Sequence, residues 1–308
     1  MTSFAPGVSS SGLRPTHDET GLRGPGVGTT DVSKQRDPKS AKGGRATEWV
    51  EATLSEFDGV RFLHLDSIWV QGAMRVKKPE KLELEYVQRM MAWMLWRDVR
   101  EMTQGQAVQL GLGAGALTRF CRKQLKMKTV AVEINPSVIS ANRHWFHLPD
   151  NDDRLSVVNE DAGAWVADAA NWGVAQVLNV DLYDHDAAAP VLDDEAFYAD
   201  CRRVLADGGL MTVNLFGRSA SFARSAARIA KVFGSDQVWH LTPTREGNTI
   251  VVAGRGVEVP AREVLEQRAA HIEARHDLPA PKWLKLVRPL PMNVIHQLQA
   301  ATAGLTDE

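Results

Sequence analysis

Two carboxylates three residues apart follow an apolar run in the segment NVDLYDHD. Asp181 and Asp184 flank Tyr183 there, and a sharp turn would let both acids face one pocket. Paired carboxylates can hold a cationic amine, and one of them can remove its proton if it reaches the attacking nitrogen. We therefore predict a catalytic role for these three residues. The alternative is a turn followed by a helix cap.

A glycine-rich segment with the sequence LGLGAGAL is the second chemical feature. Gly111, Gly113 and Gly115 follow an apolar run and precede a helix-like pattern. Without side chains at such a turn, the backbone can approach a ligand closely, and the N–H groups of the helix N-terminus point at it. Dinucleotides and S-adenosyl thioethers both bind this geometry. Ala116 occupies the last position of the dinucleotide fingerprint, so the glycines alone do not choose between the two classes.

Acids at two further predicted strand ends extend this pattern. Glu133 ends the strand after the glycine segment, where an acid can accept hydrogen bonds from both ribose hydroxyls. Asp161 ends the third strand, next to the small Ala162, where it can bind an adenine amino group or cap the next helix. Because ligands bind at the carboxyl ends of parallel strands, these positions predict a nucleoside site.

The elements that must position these residues alternate between strand and helix patterns over 105–256. Such alternation predicts a parallel sheet with helices on both faces. Asn135 and Pro136 are a plausible N-cap and first helical residue. The segment DEAFYADCRRVLADGG reads as a helix closed by glycines. The last two strand patterns have no helix between them, which predicts a terminal hairpin and an α/β, Rossmann-like class I methyltransferase-type sheet.

Three further segments surround this predicted cofactor domain. Residues 1–45 are rich in Gly, Ser, Thr and Pro without periodicity, which is typical of a disordered tail. Residues 46–104 contain an Asp58-Gly59 turn signal and several short strand patterns, followed after Pro79 by a predicted long helix. They predict a small β-hairpin subdomain with a linking helix. Residues 257–308 predict a helix near 261–275 and a Pro-rich extension.

The composition of the 308 residues excludes few functions. The net charge of −2 gives no indication of nucleic acid or membrane binding, and no apolar run is long enough to span a bilayer. Two distant cysteines, with no signal-peptide pattern, predict a reduced, cytoplasmic location. His144 and His147 are one helical turn apart without further ligands, so we expect no metal.

Several segments occur together in an order that carries a family resemblance: LHLDSIWVQ, LELEYVQRMM, QLGLGAGALTRF, AVEINPSVI, NEDAGAW, VDLYD and VLADGGLMTVNL. Together they resemble the spermidine synthase (polyamine aminopropyltransferase) family over about residues 60–255. The resemblance implies a homodimer with a small β-stranded domain before a Rossmann-like domain. It also implies transfer of an aminopropyl group from decarboxylated S-adenosylmethionine to a diamine, a step of polyamine biosynthesis.

The resemblance assigns roles to matching positions. Those implied to contact the donor are Gly111, Gly113, Gly115, Glu133, Asp161, Ala162 and, one residue out of register, Gln71. Asp181 and Asp184 match the D-x-x-D pair that includes the proposed base, and Tyr86 matches a pocket tyrosine. Arg119 matches an arginine after the glycine loop. Arg245 takes the place of a tyrosine that contacts the polyamine.

The chain also departs from the family pattern. Ala114 replaces an aspartate of the glycine loop that grips the donor's primary amine, Val87 replaces a Gln or His, and His185 replaces a proline. Arg245 facing a diammonium substrate is unfavourable by ~1 kcal/mol or more in a wet site. These changes place the chain in a spermidine synthase-like branch.

Three functions are compatible with these residues. The first is a transferase that moves an aminopropyl group from an S-adenosyl thioether to a small amine or other small acceptor. The second is a methyltransferase that uses intact S-adenosylmethionine on a small molecule, because Ala114 removes a charge that would repel the donor's carboxylate. The third is a catalytically silent nucleoside-binding protein. A nicotinamide dehydrogenase is the weakest alternative.

Overall fold

The computed structural model describes residues 49–67, 69–183, 192–217, 219–291 and 294–296. The tail predicted at 1–45 and the predicted site residue Asp184 lie outside these ranges. The strands are β1 (Ala52–Phe57), β2 (Val60–Leu65), β3 (Gly72–Arg75), β4 (Gln106–Leu110), β5 (Lys128–Glu133), β6 (Leu155–Asn159), β7 (Ala175–Val180), β8 (Leu205–Phe216), β9 (Val238–Leu241), β10 (Asn248–Gly254) and β11 (Val287–Pro289). The α-helices are α1 (Glu85–Met90), α2 (Ala116–Arg119), α3 (Pro136–Trp145), α4 (Ala162–Ala167), α5 (Glu195–Val204), α6 (Ser219–Phe233), α7 (Arg262–His276) and α8 (Ala280–Leu286).

A small antiparallel sheet comes first, in the order β1-β2-β3. Asp58 and Gly59 form the turn between β1 and β2 with φ of 48° and 69°, as a two-residue hairpin turn with two left-handed residues requires. The predicted N-terminal β-stranded subdomain is therefore confirmed. Its last strand contacts the glycine segment, since a methyl group added at Gly72 would lie 2.7 Å from Cβ of Ala114.

The large sheet has the strand order β11-β9-β10-β8-β7-β4-β5-β6. The strands from β8 to β6 are parallel, whereas β10 pairs antiparallel with β8 on one side and β9 on the other. The reversed strand predicted at the end of the sheet is thus β10, and the Rossmann-like fold class is confirmed. The predicted domain boundary at 104/105, just before β4, stays a prediction.

Alternate residues of the parallel strands pack into two apolar layers. On β4, Ala107 packs into a layer with the 90–96 run, α7 and α8, while Val108 packs into the opposite layer with α4, α5 and α6. Because both faces are covered, the carboxyl edge of the sheet is the place where polar side chains remain accessible.

The long helix expected after Pro79 is shorter than predicted. The helix α1 begins at Glu85 and is followed by a 3₁₀ segment, Met91–Leu95. All residues from Met90 to Trp96 are buried, and the Trp96 ring packs against Trp239 with centroids 5.0 Å apart. Helical periodicity buries one stripe, but this run is enclosed on every side, so tertiary packing overrides the helix propensity of the sequence.

Two further differences concern segments that follow helices. The helix α5 ends at Val204 and β8 begins at Leu205, so Gly208 and Gly209 lie in the strand and do not cap the helix. The pairing register of β7 with β8 shifts there, and a methyl group at Gly209 would lie 2.9 Å from the carbonyl oxygen of Ala175. The predicted Pro-rich extension also forms an edge strand, β11, which pairs with β9.

In the described ranges, none of the helices combines the length and the apolar character needed to span a bilayer.

Candidate active site

A cavity of about 590 Å³ lies at the carboxyl edge of the parallel strands. The small sheet and α1 close it on one side, with Gln71 and Tyr86 in its wall. The ends of β4, β5 and β7 contribute Gly111, Glu133 and Asp181. This is the edge at which sheets of this topology bind ligands, so the fold brings together residues that are distant in sequence.

The glycine segment approaches its neighbours so closely that side chains would clash. Gly111 has φ of 81°, and a methyl group there would collide with the carbonyl oxygen of Asp181. Gly113 has φ of 49°, and a methyl group would lie 2.7 Å from the carbonyl oxygen of Gln71. Both glycines line the cavity. Gly115, by contrast, precedes α2 and faces the Asn142 side chain rather than the cavity.

Glu133 connects the glycine segment to the next strand end. Its two carboxylate oxygens accept hydrogen bonds from the backbone N–H of Leu112 and of Asn135, each 2.9 Å long. Burial raises the pKa of Glu133 above its ordinary value, and these two backbone bonds act in the opposite direction. The carboxylate is therefore fixed in orientation at the cavity wall before any ligand binds.

Asp161 caps the helix that follows it and also lines the cavity, while its predicted contact with an adenine amino group stays a prediction. Its Oδ1 accepts a hydrogen bond from the backbone N–H of Ala164 at 2.9 Å, which caps α4. Asp161 and the buried Ala162 also line the cavity. A helix cap and a ligand contact are compatible because a carboxylate has several acceptor positions.

Among the acids that line the cavity, Asp181 accepts hydrogen bonds from two different side chains. Asn214 Nδ2 donates to its Oδ1 at 2.9 Å, and the Tyr86 hydroxyl donates to the same carboxylate. Burial raises the pKa of Asp181 above its ordinary value, while these two hydrogen bonds lower it. Burial and the adjacent carboxylate raise the pKa of Tyr86 well above its ordinary value, so the phenol stays a donor.

These opposing effects predict a measurable pH dependence. If Asp181 must be ionised to act as a base, kcat/KM rises with pH through the pKa of that carboxyl. Tyr86→Phe removes a bond that stabilises the ionised form, so the pKa of Asp181 rises further and the acid limb moves to higher pH. Profiles of kcat/KM against pH for both proteins measure this shift. A midpoint that stays fixed or falls would contradict it.

The structure gives Tyr183 a structural partner. Its hydroxyl donates to the carbonyl oxygen of Asn214 at 2.9 Å and accepts from the backbone N–H of Phe216 at 2.6 Å. Both contacts tie the segment after β7 to the end of β8. Although Tyr183 lines the cavity, its hydroxyl is engaged with backbone, so we assign it a positioning role.

The turn between β9 and β10 presents its acid, not its base, to the cavity. Arg245 and Glu246 are both exposed, but Glu246 lines the cavity and Arg245 does not. The sequence predicted that Arg245 would repel a cationic substrate. Because Arg245 does not line the cavity, the cavity wall is free of this like-charge repulsion.

Carboxylates dominate the charge of the lining. The acids in it are Glu83, Glu85, Glu133, Asp161, Asp181 and Glu246. Among the residues that the structure describes, no Lys, Arg or His lines the cavity. Two of these acids are paired outside the lining, Glu83 with Arg75 at 2.5 Å and Glu85 with Arg89 at 2.6 Å. The cavity is suited to cationic ligands.

Sequence reasoning missed a polar chain behind Asp181. Asn248 Nδ2 donates to Asn214 Oδ1 at 3.1 Å, and Asn214 in turn donates to Asp181. Both asparagines are buried and line the cavity. The available signal was an amide inside an apolar strand pattern, TVNLF, because a buried amide needs hydrogen-bond partners.

Ala114 does not take part in the cavity wall. Its side chain is 2 % exposed and packs in a core layer with Leu63 and Met74. Where the family has an aspartate, Ala114 therefore makes an apolar contact between the glycine segment and the small sheet. The replacement does not create an uncharged surface in the cavity.

Comparison with known proteins agrees with this geometry. The spermine/spermidine synthase domain matches residues 105–254. A polyamine aminopropyltransferase of Chromobacterium violaceum is 32% identical over 256 residues, covering 82% of this chain and 92% of that protein.

Two solved structures share the fold. A probable spermidine synthase from Corynebacterium glutamicum superposes with a TM-score of 0.62 at 18% identity, over 74% of this chain and 85% of that one. Human methyltransferase-like protein 13, in complex with SAH, gives 0.55 at 22% identity, over 63% and 92%. The fold is therefore shared by a probable spermidine synthase and a methyltransferase-like protein, and it does not choose between these two classes. The sequence similarity does, because the relative that it identifies is a polyamine aminopropyltransferase. The chain belongs to the spermine/spermidine synthase family.

Proposed function

We propose that this protein is a transferase that moves the aminopropyl group of decarboxylated S-adenosylmethionine to a small amine. The observation that carries the proposal is a cavity lined by six carboxylates and by no basic residue of the described ranges. This donor bears a sulfonium and an ammonium, and an amine acceptor is protonated in water. The field of the cavity attracts both substrates.

The donor's nucleoside occupies the end of the cavity formed by the first three parallel strands. Without side chains, Gly111 and Gly113 let the glycine segment pack against the backbone of Asp181 and Gln71, so that its own backbone lines the cavity. Glu133, held by two backbone N–H groups, accepts from the ribose hydroxyls, and Asp161 accepts from the adenine amino group. Gln71, immediately before β3, lines the cavity on the side closed by the small sheet. Gly115 shapes the loop without contacting the donor.

Asp181 acts as the base and as an anchor for the attacking amine. The amine nitrogen forms a bond to the aminopropyl carbon next to sulfur, while the carbon–sulfur bond breaks and its electron pair stays on sulfur. Asp181 takes a proton from the ammonium form of the acceptor, which frees the nitrogen lone pair for this attack. The sulfonium becomes a neutral thioether, and its positive charge passes to the new secondary ammonium of the product. Burial makes this carboxylate more basic, and the hydrogen bonds from Tyr86 and Asn214 orient it. Asp184, outside the described residues, stays a predicted partner.

Donor preference tests the proposal directly. Calorimetric titration should show that decarboxylated S-adenosylmethionine binds at least about fivefold more tightly than the intact compound, because each close like-charge pair costs ~1 kcal/mol or more in a wet site. Turnover with an amine acceptor should then release the thioether. The same protein with both compounds provides the matched comparison.

Tighter binding of intact S-adenosylmethionine would favour the methyltransferase alternative, which the shared fold permits. Binding of either donor without turnover on any amine would favour the catalytically silent alternative. Ala114 no longer supports the methyltransferase, because its buried side chain does not face the donor. Homodimer formation and a cytoplasmic location stay predictions from the resemblance and the composition.

A further inference from the structure

We propose that Glu246 is a specificity-determining residue that holds the far ammonium of an acceptor with two cationic ends. This inference rests on the proposed function, because it concerns the acceptor of that reaction. It assigns a task to the turn between β9 and β10, where the chain departs from its family's sequence pattern.

The turn holds Glu246 in the cavity wall by backbone geometry. The Thr244 N–H donates to the Asn248 carbonyl at 2.8 Å, and the Gly247 N–H donates to the Thr244 carbonyl at 3.2 Å. The Thr244 hydroxyl accepts from the Asn248 N–H at 3.2 Å. Gly247 has φ of 100°, which redirects the chain at the end of the turn. Arg245 and Glu246 are both exposed to solvent, and of the two Glu246 lines the cavity.

Glu246 differs from the other lining acids in its freedom to bind a ligand. Glu83 and Glu85 are paired with arginines, Glu133 accepts two backbone N–H groups, and Asp181 accepts from two side chains. No ion pair or hydrogen bond of the Glu246 carboxylate occurs among the described parts of the chain. Its charge is available to an ammonium group.

Strand register separates Glu246 from the proposed base. Val180 on β7 pairs with Val213, so Asp181 is level with Asn214 on β8. Phe216 is two residues further along, roughly 7 Å at the usual rise of a strand. Asn248 pairs with Phe216, and Glu246 lies beyond that pair in the turn. The two carboxylates are therefore too far apart to share one ammonium and are placed for the two ends of a short alkyl chain.

An aromatic pair lines the cavity at the level of Phe216, between the registers of the two acids. Phe216 and Trp69 both line the cavity, and their rings contact edge to face with centroids 6.3 Å apart. A methyl group at Gly247 would lie 3.5 Å from the Phe216 ring, which brings the turn against this aromatic pair. Methylene groups of a diamine can pack on these rings while its ammonium groups reach the acids.

A substitution that removes the charge and keeps the shape tests the assignment. Steady-state kinetics use the full chain, decarboxylated S-adenosylmethionine, and either butane-1,4-diamine or butan-1-amine as acceptor. Glu246→Gln should raise KM for the diamine by about tenfold or more, with kcat changed far less, because a charge-assisted bond outside the reacting centre is lost. KM for the monoamine should change less than about twofold, as it has no second ammonium.

The control is Glu258→Gln, the same change at an exposed acid beyond the opposite end of β10, which should leave both acceptors unaffected. Equal rises in KM for diamine and monoamine, or no rise for either, would overturn the assignment. Calorimetric titration of butane-1,4-diamine into the unmodified protein and into Glu246→Gln distinguishes failure of the proposed function from failure of the role assigned to Glu246. Glu246-dependent binding without any turnover defeats the proposed function alone, whereas absence of Glu246-dependent binding defeats this inference.

Discussion

Asp181→Asn is expected to lower kcat by a factor of roughly 10²–10⁴, the usual contribution of a positioned general base. Asparagine keeps the shape, and its carbonyl oxygen can still accept from the Asn214 amide, so the wall of the cavity is retained. It cannot take the proton of the attacking amine. The loss therefore falls on kcat and kcat/KM together, as expected for an interaction made only in the transition state.

The measurement combines turnover with calorimetric titration of the donor. Donor affinity should change far less than kcat, which separates a lost base from a collapsed site. Asp207→Asn removes a carboxylate from an exposed position on β8 and controls for a general charge effect. A kcat within about threefold of the unmodified protein would exclude Asp181 as a general base.

Glu133→Gln is expected to weaken donor binding by roughly 10- to 150-fold. Hydrogen bonds to a charged group contribute about 1.5–3 kcal/mol, which corresponds to that change in affinity. The carboxylate also accepts from the N–H groups of Leu112 and Asn135, and a carboxamide presents only one oxygen to the two donors. The glycine segment loses one of its restraints as well as its ribose contact.

Calorimetry with the donor and a thermal melt measure these two losses separately. The melting temperature should fall modestly, because one backbone donor is left with a poor partner. Glu160→Gln is the matched control, since Glu160 is an exposed acid at the end of the neighbouring strand. Unchanged donor affinity in Glu133→Gln would remove the ribose role from this residue.

Local features of the structure followed from the sequence. The turn at Asp58-Gly59 has both residues in the left-handed region, and Asn135 caps α3 with Pro136 as its first residue. Each depends on a few adjacent residues whose backbone preferences are intrinsic. The strand and helix alternation likewise specified the sheet, because a parallel strand must be followed by a crossover that returns the chain to the same edge.

Long-range packing decided the features that the sequence did not reveal. The run Met90–Trp96 is apolar on every side, and only the layers around it show that α1 stops at Met90. The edge strand β11 forms because β9 offers unpaired backbone groups, a property of the assembled sheet.

The residues of the site likewise fall into those whose place could be predicted from the sequence and those whose place could not. Gly111, Glu133 and Asp181 could be placed from sequence, because each ends a strand of one parallel sheet and such ends share an edge. For Asn214, the amide inside the apolar pattern TVNLF signalled a buried polar group, but strands buried on both faces show no alternation that marks which residue faces a cavity.

The chemical types at the carboxyl edge of the sheet, and the family to which the chain belongs, can be read from the amino-acid order. Which of two neighbours in a turn, Arg245 or Glu246, lines the cavity follows from the three-dimensional arrangement alone. The reason is physical: the direction of a side chain in a tight turn depends on the hydrogen bonds that close it and on the φ of 100° at Gly247. The charge that meets the acceptor is therefore a property of the folded chain.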